Sequence, residues 1–158
     1  MKRILISALA LSLGAYAQEN TRLQQMAEME YVDEARCHIA ISNSVQSVIP
    51  LLALAWLEAG DSTQKNRIRE AFDVALARGC DINAASLDGL NALHLAVIKG
   101  DGELVQYLLA HNADPGQTIS SNDPHFNGLN SHTLLEWLEK EEPTTDRKRV
   151  KEMLDSKR

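Results

Sequence analysis

Between Val48 and Leu154 the apolar residues come in short bursts with helical spacing, separated by polar stretches. Ile68, Phe72, Ala75 and Leu76 fall on one face of a helix that stops near Gly79. Leu104, Tyr107 and Leu108 do the same ahead of Asn112. Gly and Asn most readily take the left-handed conformation that ends a helix. Gly79 and Asn112 stand 33 positions apart, as do Asp81 and Asp114, so the pattern predicts a repeated helical unit.

Between those stops the chain reads Asp88-Gly89-Leu90-Asn91-Ala92-Leu93-His94-Leu95-Ala96, then Gly100, then Leu104-Val105 and Leu108-Leu109, closing on Ala113-Asp114. Leu93, Leu95 and Ala96 predict the inner face of a short helix. Gly100 predicts the turn to a second helix that covers the first. The segment resembles an ankyrin repeat, departing from it at Asn91-Ala92, where the family usually has Thr-Pro. Upstream, Leu52-Ala53-Leu54-Ala55 repeats the pattern with Gly60 as the turn. That copy carries eight additional residues, for which the polar stretch Asp61–Asn66 is the natural place. Downstream, Gly128-Leu129-Asn130 echoes Gly89-Leu90-Asn91, and residues 133–138 start a further unit after a long polar loop, residues 117–131. One helix pair cannot bury both its faces, so its neighbours stack on it.

The resemblance implies an all-α, ankyrin-like solenoid of about three stacked helix-turn-helix repeats. It implies structural roles for Gly79, Asp81, Gly89, Leu93, His94, Leu95, Ala96, Gly100, Leu108, Leu109 and Asp114. It also implies a binding module that meets partners through its fingertip turns and first-helix ends. Carried over residue by residue, those positions are Leu87, Asp88 and Leu90, then Ile98 and Lys99, with Leu129 in the following finger. Ahead of the repeats, Leu23, Met26, Ala27, Tyr31, Ala35 and Ile39 have mostly helical spacing and predict capping helices within residues 18–47.

The first 17 residues change the picture of where the protein works. Lys2-Arg3, the apolar run from Ile4 to Leu13 and Ala15-Tyr16-Ala17 have the three parts of a removable secretory signal, with cleavage expected after Ala17. The run is too short to remain as a membrane anchor. The expected mature chain, residues 18–158, is then a single repeat domain without membrane insertion. Its loss of Lys2 and Arg3 moves the net charge from −6 to −8. Such acidity argues against nucleic acid; it suits a basic protein partner, or serves simply to keep the protein in solution. Cys37 and Cys80, in an exported chain, are permitted a disulfide; two buried thiols are the alternative.

Catalytic chemistry is not visible. His38, His94, His111, His125 and His132 are scattered, and His94 sits where the ankyrin pattern places a structural histidine. His125 and His132 share the long loop with Asp123 but lack the short spacing of a zinc site. No phosphate loop or nucleophile elbow appears. The run Arg147-Lys148-Arg149-Lys151 reads as the solvated face of a last helix. The expectation is therefore a non-enzymatic, cofactor-free periplasmic binding protein. Its most direct role is that of an immunity protein neutralising a cell-envelope toxin, such as a lipase or peptidoglycan hydrolase. The alternatives are an assembly or stress-protection factor supporting another enzyme, and an effector delivered to a host.

Overall fold

The computed structural model describes residues 28–157. The expected leader and the first part of the expected cap lie outside them. From Tyr31 onward the chain forms one compact unit. Its elements run β1 (His38–Ile41), β2 (Ser44–Ser47), α1 (Val48–Glu58), α2 (Ser62–Ala77), α3 (Ala92–Lys99), α4 (Gly102–Ala110), α5 (Ser131–Glu141) and α6 (Thr145–Asp155).

The helices form three pairs, each joined by a short link. Helix α3 packs against α1 on one side and α5 on the other, so the three first helices lie in a row. Within each pair α1 packs on α2, α3 on α4 and α5 on α6; behind the row α4 also packs on α6. The core follows from that arrangement. Leu52, Ala53 and Trp56 of α1, Leu93, Ala96 and Val97 of α3, and Leu134, Leu135 and Leu138 of α5 are buried. Phe72, Leu104, Leu108, Val150 and Leu154 close the layer from the second helices. Burying a leucine of this kind is worth about 2 kcal/mol.

The helix ends repeat atom for atom. After α2, Gly79 N–H donates to Leu76 O (2.9 Å) and Cys80 N–H to Ala75 O (3.1 Å). After α4, Asn112 N–H donates to Leu109 O (3.3 Å) and Ala113 N–H to Leu108 O (3.0 Å). Gly79 (φ 88°) and Asn112 (φ 64°) both take the left-handed conformation this paired cap needs. Asp81 Oδ1 then accepts from Asn83 N–H (2.9 Å), and Asp114 Oδ1 from Gly116 N–H (2.8 Å). Asn83 Oδ1 in turn accepts from Asp114 N–H (2.8 Å), tying one turn to its counterpart.

Two expectations need correction. Residues 38–47 form a two-stranded antiparallel hairpin rather than helix, with Ile41 opposite Ser44 across a two-residue turn. Cys37 and Ile39 are buried while His38 between them is exposed, an alternation with period 2 that belongs to a strand. Ser42, at φ 55°, supplies the left-handed residue such tight turns require. The additional residues of the first repeat lengthen its second helix: Asp61 caps α2, its Oδ1 accepting from Gln64 N–H, and the helix runs to 16 residues against 9 in α4. Arg147 is not on a solvated face. It is buried, and its guanidinium donates to the Leu138 and Glu142 carbonyls at the end of α5, where unsatisfied carbonyls attract a cation.

Cys37 and Cys80 are joined, with Cα atoms 5.1 Å apart. The bond fastens the residue before β1 to the stop after α2, closing a separation of 43 residues.

Candidate functional site

Two loops project from the row of helices, one before α3 and one before α5. The first, residues 84–91, is a tight finger: Ser86 N–H donates to Leu90 O (2.8 Å) and Gly89 N–H to Ser86 O (3.0 Å). Asn91 closes it by capping α3, its Oδ1 accepting from His94 N–H (2.8 Å). The second, residues 117–130, is longer and braced from within. Ile119 N–H donates to Leu129 O and Gly128 N–H to Ile119 O, both at 2.8 Å, and the Ile119 side chain is buried. At its tip Ser121 N–H donates to Asn127 Oδ1, Asp123 N–H to Ser121 Oγ, and His125 N–H to Asp123 Oδ1.

His94 holds the two loops to the helix row. Its ring is fully buried. Nδ1 accepts from Asn91 N–H (3.2 Å), so the neutral ring carries its proton on Nε2 and donates it to Gln117 O (3.0 Å). Burial holds its pKa below the usual histidine range, against the opposing pull of the Gln117 carbonyl. Asn91 Nδ2 donates to Gln117 Oε1 (3.0 Å), adding a second bond between the base of one finger and the start of the next.

The fingers also touch backbone to backbone. A Cβ built on Gly89 would lie 2.0 Å from Ser120 O, and Gly89 has φ 76°. Only glycine fits there, through both its space and its conformation. Gly128, at φ 83°, has nothing within 4 Å of the same point, since no finger follows it among the described residues.

Between the fingers lies an open cleft of about 280 Å³, lined by Asp88, Leu90 and Ile98 from the first side and Ser121, Asp123 and Phe126 from the second. The Phe126 ring stands edge-on to Trp137 of α5, with centroids 5.4 Å apart, which fixes that wall. Leu87, the next residue to Asp88, is 64% exposed. Of the positions expected to meet a partner, the structure thus brings Asp88, Leu90 and Ile98 together. Leu87 stands in solvent at the tip of the finger. Lys99 is exposed at the end of α3 and does not line the cleft. Leu129 is half-buried, occupied by the backbone ladder with Ile119.

Of the positions expected to be structural, Leu93, His94, Ala96, Leu108 and Leu109 are buried, Leu95 is half-buried, and Gly100 ends α3 at φ 69°. Ser121 and Phe126 carry no repeat signature, and Asp123 stands out in the sequence only through its loop neighbours His125 and His132. Among the described residues no three His, Cys, Asp or Glu side chains stand close enough to hold a metal ion.

Residues 76–124 match the family model for ankyrin repeats in many copies, a span that includes the first finger, helices α3 and α4, and the start of the second finger. No curated protein and no solved structure matches the chain.

Proposed function

We propose that this chain, whose residues 76–124 match ankyrin repeats, grips a protein partner in the cleft between its two fingers. Ankyrin repeats are protein–protein interaction modules. The observation that carries the reading is the cleft itself: Leu90, Ile98 and Phe126 open to solvent between the fingers, with Leu87 exposed beside them. A contiguous apolar cluster left uncovered at a cleft marks a contact site.

The finer reading is that of a periplasmic immunity protein, exported by a leader cleaved after Ala17. It binds a cell-envelope toxin, a lipase or a peptidoglycan hydrolase, and blocks its active site. Support for the compartment comes from the Cys37–Cys80 bond, since such bonds persist in oxidising surroundings. Support for the role comes from the acidic chain, at net charge −6, and from fingers shaped to enter a groove.

Co-expression with the product of the neighbouring gene tests it. The expected result is co-purification and relief of that product's periplasmic toxicity. A neighbour that is a peroxide-handling enzyme, bound without loss of its activity, would instead make the protein an assembly or stress factor.

A further inference from the structure

The cleft has a chemistry as well as a shape. Its floor is apolar and its two rims each carry a carboxylate: Asp88 from the first finger and Asp123 from the second. Asp88 is exposed and has no hydrogen bond or ion pair among the described residues. Asp123 spends one oxygen on His125 N–H and has no cation beside it. The remaining polar lining is Ser121, so no basic side chain lines the cleft. Two other carboxylates, Glu103 and Glu139, are answered in place, the first by Lys65 and Arg69 and the second by Lys151. The cleft is where apolar surface and unanswered negative charge coincide.

Resting on the reading of the cleft as the docking site, we infer that its occupant is a protein segment presenting a leucine, isoleucine or phenylalanine directly beside a lysine or arginine. The apolar side chain enters between Leu90, Ile98 and Phe126. The neighbouring cation reaches the rim between Asp88 and Asp123. Apolar burial supplies most of the affinity, and the carboxylates select the sequence and speed encounter. A segment with an acidic residue in the flanking position is repelled by both rims.

A random twelve-residue peptide library displayed on phage, selected against the full oxidised chain, tests the inference. The expected consensus is an aliphatic or aromatic residue adjacent to Lys or Arg. A selected peptide, followed by fluorescence anisotropy, should lose about threefold in affinity on Asp88→Asn or Asp123→Asn and about tenfold on the double variant. Its affinity should also fall as salt rises. Neither substitution removes a buried group, and circular dichroism of each variant should match the wild type. A consensus without a basic residue, or peptides indifferent to the double variant but weakened by Ile98→Glu, overturns the charge pairing and leaves the cleft standing. Peptides indifferent to Ile98→Glu as well, or no enrichment at all, overturn the cleft as the docking site.

Discussion

At the residue scale, two positions, His94 and Gly89, decide how the fingers are held. His94 donates through Nε2 and accepts through Nδ1, and a second proton would turn that acceptor into a donor facing Asn91 N–H. Its folded pKa is depressed, so the folded state resists a proton that the unfolded chain accepts near pH 6.5. Stability is therefore full above that pH and falls as pH drops through the window between the unfolded and the folded value. Urea unfolding from pH 7.5 to 5 should show this loss, and His94→Ala should cost about 3 kcal/mol at pH 7.5 and flatten the dependence. Gly89 and Gly128 form an internal control. Both have positive φ, but only Gly89 lies against another backbone. Gly128→Ala should cost about 1 kcal/mol, the strain of a left-handed side chain. Gly89→Ala should cost about 4 kcal/mol or prevent folding, because the Ser120 carbonyl must also move. Equal costs for the two would show that the fingers do not touch.

At the scale of elements, stability rests on ends and ties. Asn91 and Asn130 each cap a first helix through the side chain, and replacing either by alanine should cost about 1 kcal/mol in urea titration. The Cys37–Cys80 bond closes a separation of 43 residues. Its removal in Cys37→Ser with Cys80→Ser should cost about 4 kcal/mol in the chain-entropy view, read as a lower unfolding midpoint that matches the reduced wild type. The helices themselves were legible beforehand because helix stops and inner faces recur: Gly79 and Asn112, Leu93 and Leu108, are fixed by local rules of capping and burial. The hairpin at 38–47 was not, because its strands are four residues each, too short for period 2 to stand out against the helical spacing of Tyr31, Ala35 and Ile39. Arg147 was read with its basic neighbours, since nothing local says which of four cations turns inward to meet α5. Half of the cleft was legible for the same reason as the helices: Asp88, Leu90 and Ile98 sit at repeat positions. Ser121, Asp123 and Phe126 belong to a loop without repeat counterpart, and the pairing of Ile119 with Leu129, with the Gln117 bonds to His94 and Asn91, brings them opposite the first finger.

At the scale of the whole molecule, paired helices in a row bury their apolar sides against one another and present their loops along one edge. The cleft exists because two successive repeats set their fingers side by side, one wall from each. Binding should therefore be sensitive to both fingers while the helix row remains as it was. Leu87→Asp with Leu90→Asp should weaken a partner or selected peptide at least tenfold and leave helical content near that of the wild type; a parallel loss of helix would make those leucines part of the core. The most direct measurement is amide hydrogen exchange of the full chain with and without a bound peptide or toxin. Added protection is predicted in residues 85–99 and 119–129, with little change along α4 and α6. Protection confined to the α4–α6 side, with the fingers unchanged, would contradict it.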